Sequence, residues 1–236
     1  MRRKKKVKTI WSPNLAYVIG IITTDGNLSN NGRHLNITSK DKEIINKSKI
    51  CLGINNKIGK KARGGSNNKK YYTLQFGDIN FYEFLLKIGL MPRKSKKIKS
   101  VMVPKNYFRD FLRGCIDGDG SISISKHKES SHRQLKIRLY SASPHFMMWI
   151  MKKIKNISRC DGGSIYKPKN SSVSALSFGK RDSLKILKFM YYKDDILCLE
   201  RKRNIFKKWA SGGMVDTLVL GTSSARSGGS SPLSPT

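Results

Sequence analysis

The sequence predicts an α+β fold composed of two pseudo-symmetric repeats, each with the element order αββαββα. Two pairs of landmarks support this prediction because they occur in the same order in both halves of the chain. A mostly apolar segment that ends in Asp-Gly occupies residues 14–26 and again residues 108–120. The tetrapeptide Leu-x-Phe-Gly follows at residues 74–77 and again at residues 176–179. Repetition of two landmarks indicates a duplicated unit, and alternating segments between them predict antiparallel strands.

The first repeat opens with a helix predicted from Asn14, a potential N-cap that follows Pro13, to about residue 24. Residues 34–39 alternate between apolar and polar side chains, which predicts a strand. The other predicted elements are a helix at residues 41–52, a two-stranded hairpin formed by residues 57–63 and 70–76, and a last helix at residues 79–88.

The second repeat has the same predicted order and adds a final helix. The predicted elements lie at residues 107–116 (helix), 121–125 and 134–140 (strands), from Pro144 (helix), across 167–172 (hairpin), from Arg181 (helix) and 195–209 (final helix). In both repeats one face of the sheet would be apolar and covered by the helices, while the other face would be polar and basic. Such an outward face is typical of a sheet that binds nucleic acid.

Charge is the strongest feature of the composition. The 236 residues include 48 Lys+Arg against 15 Asp+Glu, which gives a formal net charge of +33. Such an excess attracts phosphate groups, so nucleic acid is the expected partner and an anionic membrane surface is the second choice. The longest apolar run, residues 15–22, is far shorter than the roughly 20 residues of a membrane span, so no span is expected. Four scattered cysteines without a Cys-x-x-Cys pair indicate neither a zinc site nor a disulfide framework.

Composition also sets the predicted boundaries. A basic arm at residues 1–12 precedes the first repeat at 13–104 and the second repeat at 105–209. Residues 210–236 are rich in Ser and Gly and carry one Asp and one Arg, so the whole net charge lies ahead of them. Such a segment can bury little apolar surface, and we expect this tail to be disordered.

Both Asp-Gly segments carry a glycine in mid-helix, Gly20 in the first and Gly114 in the second. A glycine costs about 1 kcal/mol relative to alanine inside a helix, and its recurrence indicates that the two helix backbones approach closely. Packing of these helices about a pseudo-twofold axis would bring Asp25 and Asp119 together beneath the sheets. Adjacent carboxylates at negative helix ends repel each other unless a cation bridges them. A hard divalent ion such as Mg²⁺ is expected there, and a metal beneath a phosphate-binding surface indicates phosphodiester hydrolysis.

The two segments resemble a known family. Residues 18–26, Val-Ile-Gly-Ile-Ile-Thr-Thr-Asp-Gly, and residues 112–120, Leu-Arg-Gly-Cys-Ile-Asp-Gly-Asp-Gly, look like the two copies of the LAGLIDADG motif in single-chain homing endonucleases. The resemblance covers residues 13–209. It implies a monomer that lays a saddle of antiparallel strands along the major groove of double-stranded DNA. It also implies a site-specific double-strand break made with Mg²⁺ or Mn²⁺.

The resemblance further implies which residues form the site. The acid at the eighth motif position, here Asp25 and Asp119, is the metal ligand and catalytic carboxylate of the family. The preceding backbone carbonyls, here those of Thr24 and Gly118, often complete the metal shell. A catalytic lysine near the end of each repeat lies close to the scissile phosphate, and the best matches are Lys94 and Lys202.

One motif position departs from the family pattern. Thr23 stands at the sixth position of the first copy, where the second copy has the usual acid as Asp117. This acid is mainly structural in the family, so the departure affects activity little. Outward residues of the predicted strands are the expected DNA contacts: Arg33, Asn36, Lys61, Arg63, Lys70, Gln75, Lys136, Arg138 and Lys167.

Two alternatives keep the same fold but change the function. An RNA maturase would bind intron RNA and assist splicing, and a DNA-binding regulator would bind DNA without cutting it. The presence of both acids disfavours the regulator and is compatible with the maturase. For each of these functions we expect a location in the cytoplasm, associated with the nucleoid, or in an organelle.

Overall fold

The computed structural model describes residues 6–62, 70–126 and 132–211. Its strands form two four-stranded antiparallel sheets with the same topology, β1-β2-β4-β3 in the first and β5-β6-β8-β7 in the second. Helices cover one face of each sheet. The predicted α+β fold of two αββαββα repeats is therefore confirmed.

The described residues of the first repeat form three α-helices and four strands. Their bounds are α1 Pro13–Asp25, β1 Gly26–Leu28, β2 His34–Ser39, α2 Lys42–Leu52, β3 Ile58–Lys61, β4 Tyr71–Gly77 and α3 Ile79–Lys87. Strand β2 has the predicted bounds, whereas the three-residue β1 is too short to show a pattern of its own. Short 3-10 helices follow at Lys94–Lys96 and Lys105–Tyr107.

The second repeat has the same order and one additional helix. Its bounds are α4 Phe108–Asp119, β5 Gly120–Lys126, β6 Arg133–Ser141, α5 Pro144–Ser158, β7 Ser164–Tyr166, β8 Ser174–Phe178, α6 Lys180–Met190 and α7 Glu200–Ser211. The prediction that the final helix begins at residue 195 is wrong, since α7 begins at Glu200. The preceding backbone is instead held by Arg113, which donates to the carbonyl oxygens of Met190 at 2.9 Å and Leu197 at 2.6 Å.

Helices α1 and α4 pack against each other at the centre of the molecule. Gly20 and Gly114 lie at the crossing: a Cβ on Gly20 would stand 2.2 Å from the Phe111 carbonyl oxygen, and one on Gly114 would stand 2.1 Å from that of Tyr17. No side chain fits at either position, so the two backbones are in direct contact. The prediction that the motif helices form the interface between the repeats is confirmed.

The core of each repeat lies between a sheet and its helices. In β2 and β4 the inward residues Leu35, Ile37, Leu74 and Phe76 are all buried. Their polar neighbours point to the opposite face because side chains alternate along a strand. The register places Asn36 opposite Gln75 on that outward face. Strand β6 follows the same rule, with its buried positions at Leu135, Ile137 and Leu139.

The described part of the basic arm is packed against the first repeat. The backbone N–H groups of Lys6 and Val7 donate to Oδ2 of Asp78, at 2.7 and 2.9 Å. Oδ1 of Asp78 also caps α3 by accepting from the Phe81 N–H at 2.9 Å. Trp11 continues this contact, with its ring edge against Phe84. One buried carboxylate therefore fixes both the arm and the start of α3.

Within the described ranges, no helix combines the length and the apolar character needed to cross a membrane.

Candidate active site

A cavity of about 710 Å³ lies where the two repeats meet, and both motif aspartates line it. Asp25 stands at the end of α1 and is half-buried, whereas Asp119 stands at the end of α4 and is exposed. The sheets add Asn36, Thr38 and Lys61 from the first repeat and Tyr140 and Ser141 from the second. The two predicted catalytic carboxylates, distant in sequence, therefore belong to one cavity beneath the outward faces of the sheets.

The local sequence dictates that each helix ends at its aspartate. Gly26 and Gly120 both leave the helix in extended conformation and donate their N–H groups back to Ile22 and Ile116. A Cβ on either glycine would stand 2.6 Å from that same carbonyl oxygen. The Asp-Gly pair is needed because only glycine allows the chain to turn into the first strand of the sheet at this point.

The ends of the two motif helices are in contact across the interface. A Cβ on Gly118 would stand 3.1 Å from Asp25 Oδ2 and 2.1 Å from the Thr24 hydroxyl oxygen. Gly118 therefore leaves the space that the carboxylate of the other repeat requires. Thr24 itself lines the cavity, and its hydroxyl bonds back to helix carbonyls of Gly20 and Ile21.

The donor set fits a hard divalent cation. The cavity holds two carboxylates, one from each repeat, at two helix ends where the helix dipole is negative; Thr24 also lines the cavity, whereas Gly118 does not. In the described part of the chain, no group of three or more His, Cys, Asp or Glu side chains is arranged to hold a metal. An ion at this site would therefore complete its coordination with backbone carbonyls, water or phosphate oxygens.

Lys94 is the predicted catalytic lysine that lies in the cavity. Its side chain is 5% exposed, and Nζ donates to the Gly26 carbonyl at 2.6 Å, directly after Asp25. Burial lowers the pKa of Lys94 from its ordinary value of 10.5 to about 8, although the nearby charges of Asp119 and Asp25 oppose this shift. The amine therefore stands among the acidic groups of both repeats.

Lys202, the other predicted catalytic lysine, lies behind the cavity wall and does not line the cavity. Its ammonium donates to three carbonyl oxygens at the end of α4, those of Ile116 at 2.5 Å, Asp117 at 2.8 Å and Gly120 at 2.7 Å. Burial lowers its pKa to about 8, and the charge of Asp117 raises it. Lys94 and Lys202 occupy related positions, because each donates to the carbonyl of the glycine that follows a motif aspartate, Gly26 or Gly120. The surroundings of the two lysines differ.

The sixth motif position also differs between the repeats. Asp117 is fully buried and accepts hydrogen bonds from the Tyr17 hydroxyl at 3.0 Å and the Leu199 N–H at 2.7 Å. Burial raises the pKa of Asp117 to about 6, and the Lys202 charge lowers it. In the described part of the chain, the hydroxyl of its counterpart Thr23 donates to the Ile19 carbonyl within its own helix and to no group outside it. The acid therefore ties the second motif helix to the 190–199 segment, which is a structural role.

The predicted DNA contacts are distributed over both sheets. Asn36 and Lys61 line the cavity, and Gln75 is exposed beside Asn36. The others in the described ranges are exposed or half-buried, at Arg33, Lys70, Lys136, Arg138 and Lys167. Arg63 lies outside the described residues.

Several lining residues were not among the predicted contacts. Thr38 and Tyr140 point outward from their strands, and alternation alone identifies them as neighbours of predicted contacts. Arg93 also lines the cavity and directly precedes Lys94. Proximity to that lysine in the sequence is the signal that would have identified it.

Two family models match the chain. One, described as a LAGLIDADG-like domain, matches residues 12–89, and the other, described as a LAGLIDADG endonuclease, matches residues 112–211. A comparison with curated protein sequences gives no significant match.

Solved structures with the same fold cover most of the chain. The LAGLIDADG homing endonuclease I-LtrWI bound to target DNA has a TM-score of 0.56 at 14% identity, covering 86% of this chain and 91% of its own. The homing endonuclease I-SmaMI bound to cleaved DNA has a TM-score of 0.55 at 14% identity, covering 88% and 90%. I-SmaMI bound to uncleaved target DNA in the presence of calcium ions has a TM-score of 0.54 at 13% identity, covering 86% and 90%.

Proposed function

Because the chain belongs to the LAGLIDADG homing endonuclease family, we propose that it makes a double-strand break at a long, specific DNA site with a divalent metal ion. One observation supports this proposal above all others. Two aspartates from different motif helices, Asp25 and Asp119, line one cavity beneath the outward faces of two basic sheets. Carboxylates repel an approaching phosphate unless a cation lies between them, so their place in this cavity supports a metal-dependent reaction over binding of DNA without cleavage.

The two sheets supply the DNA-binding surface. Outward side chains form rows across the strands, such as Asn36 beside Gln75 and Arg138 between Ser121 and Ser177. The major groove admits strands of this kind, and amide and guanidinium groups read its base edges. The net charge of +33 adds attraction to phosphate that does not depend on sequence.

The residues of the cavity have separate roles in this proposal. Asp25 and Asp119, with the carbonyls of Thr24 and Gly118, would hold Mg²⁺ or Mn²⁺, since these hard cations prefer oxygen ligands. When bound, such an ion stabilises negative charge on phosphate and lowers the pKa of coordinated water. Lys94 stands at the same wall and places a cation beside the phosphate, where charge accumulates during the reaction.

The reaction itself is hydrolysis. The oxygen of a water molecule forms a bond to phosphorus, and one phosphorus–oxygen ester bond breaks. Of the two water protons, one ends on the departing ester oxygen and the other is released to solvent. The residues of the cavity orient the phosphate and the water and offset the added negative charge.

Isosteric substitution of each aspartate tests this function. On a cleavable duplex obtained by selection from a randomised library, we expect Asp25→Asn and Asp119→Asn to cut at least about 100-fold more slowly, because each loses a charged metal ligand. Asp161→Asn is the matched control, since that carboxylate is 82% exposed and pairs with Lys185 away from the cavity. Binding measured in EDTA should be retained by all three variants. Full double-strand cleavage by either cavity variant would refute the shared metal site.

A further inference from the structure

Among the residues that the structure describes, the positive side chains that line the cavity all come from the first repeat. They are Lys61 from β3 and the adjacent pair Arg93 and Lys94. The described residues of the second repeat contribute one carboxylate, Asp119, and otherwise uncharged side chains. The cavity therefore has one acid from each repeat but receives its cations from one side only.

The second repeat has an equivalent Arg-Lys pair, Arg201 and Lys202, but both side chains are occupied elsewhere. The three N–H groups of the Lys202 ammonium are matched by three backbone carbonyls. Arg201 forms a two-pronged ion pair with Asp41 at the start of α2, with distances of 2.8 and 3.2 Å. Neither residue lines the cavity, so a phosphate on that side meets neither of these cations.

The side chain of Arg93 differs from those of Arg201 and Lys202 in its contacts. Its side chain is exposed at the cavity, and within the described ranges its guanidinium makes no hydrogen bond or ion pair. Its backbone has a φ of 53°, in the left-handed region. This conformation costs a residue other than glycine of order 1 kcal/mol. A strained arginine without a protein partner among the described residues, at the wall of a cavity proposed to receive DNA phosphates, indicates an anionic ligand.

We propose that Arg93 binds a DNA phosphate in one half of the cavity only, so that the two strands are hydrolysed at unequal rates. This inference rests on the proposed function and assigns a phosphate contact within the same site. A guanidinium presents parallel N–H groups that match two phosphate oxygens. It also stabilises the negative charge that develops on phosphate during hydrolysis. The strand served by Arg93 and Lys94 is cut first, and a nicked duplex accumulates.

The test is strand-resolved cleavage with a different label on each strand. We expect the wild-type protein to accumulate nicked duplex. Arg93→Ala should slow one strand by about 10- to 100-fold, within the range for loss of a donor to developing charge, and leave the other within about twofold. Arg201→Ala is the matched control, and both of its strand rates should equal those of the wild type. Equal slowing of both strands by Arg93→Ala, or no slowing, would overturn the inference.

Binding in EDTA provides a readout that does not depend on cleavage. In a plot of the logarithm of the DNA-binding constant against the logarithm of salt concentration, loss of one phosphate contact in Arg93→Ala should reduce the magnitude of the slope by about 0.9. The slope should be unchanged in Arg201→Ala. A wild-type protein that binds the duplex but cuts neither strand would refute the proposed nuclease, whereas an unchanged slope in Arg93→Ala would refute the contact. Urea unfolding of both variants checks that each is folded, because neither side chain is buried.

Discussion

Replacing Gly114 by alanine would force α1 and α4 apart. The new Cβ would stand 2.1 Å from the Tyr17 carbonyl oxygen, about 0.9 Å short of the 3.0 Å that Cβ atoms keep. The obstructing atom belongs to the backbone, so no change of rotamer relieves the contact. Overpacking of this kind costs about 3 kcal/mol, and the better helix propensity of alanine returns about 1 kcal/mol. We therefore expect the free energy of unfolding to fall by about 2 kcal/mol.

The same displacement should affect cleavage. Asp25 and Asp119 are held by the two helices that must separate, and a shift of about 1 Å in reacting groups can cost on the order of 100-fold in rate. Urea unfolding measures the first effect, and strand cleavage at a temperature where the variant stays folded measures the second. Gly179→Ala is the control, because a Cβ at Gly179 meets nothing within 4 Å. We expect it to change the free energy of unfolding by less than about 1 kcal/mol.

The outcome that would refute this reasoning is specific. If Gly114→Ala and Gly179→Ala unfold at the same urea concentration, the helix backbones are not in contact. If Gly114→Ala is destabilised but cleaves at the wild-type rate, the spacing of the helices does not set the spacing of the aspartates.

Two further substitutions test buried carboxylates. Asp78→Ala removes the acceptor of three backbone N–H groups, so we expect urea unfolding to show a loss of about 2–3 kcal/mol; a loss below about 0.5 kcal/mol would contradict the docking of the arm. Asp117→Asn tests a pH dependence. The pKa of Asp117 is raised from 3.8 to about 6, so between these values the folded protein holds a proton that the unfolded chain has released. The wild-type free energy of unfolding should therefore fall by roughly 3 kcal/mol as pH rises through this window, and the variant should lack this component. Parallel pH profiles of the two proteins would count against it.

The repeated sequence landmarks predicted most of the fold because they depend on local patterns. Alternation placed β2 at its observed bounds, and the predicted starts of α5 at Pro144 and α6 at Arg181 lie within one residue of the observed starts. The prediction failed at α7, where tertiary contacts override local propensity. Arg203 donates to backbone and side-chain oxygens of Asp194 at 2.6 and 2.7 Å, which holds the preceding residues outside the helix.

The site was partly predictable for a similar reason. Asp25 and Asp119 each precede a glycine at equivalent positions of the two repeats, so the sequence alone predicts that they lie close together. Lys94 and Lys202 were both predicted as catalytic lysines, but the sequence could not distinguish Lys94, which lines the cavity, from Lys202, which does not. Their difference depends on which carbonyls each ammonium reaches, and such contacts arise only when distant segments are packed together.

The asymmetry of the cavity is accompanied by a difference at two positions in the motif helices. Arg113 and Asp117 of α4 stand where α1 has the buried Ile19 and Thr23. The two charged residues bind backbone groups of the 190–199 segment, through the Met190, Leu197 and Leu199 bonds.

Those bonds fix the start of α7 and therefore the position of Lys202, whose ammonium contacts the end of α4. Helix α1 has Ile19 and Thr23 at these positions, and in the first repeat Arg93 and Lys94 line the cavity. One repeat therefore holds its lysine against backbone carbonyls behind the cavity wall, and the other holds its lysine at the cavity. Changing Arg113 or Asp117 should consequently alter the second half of the site more than the first.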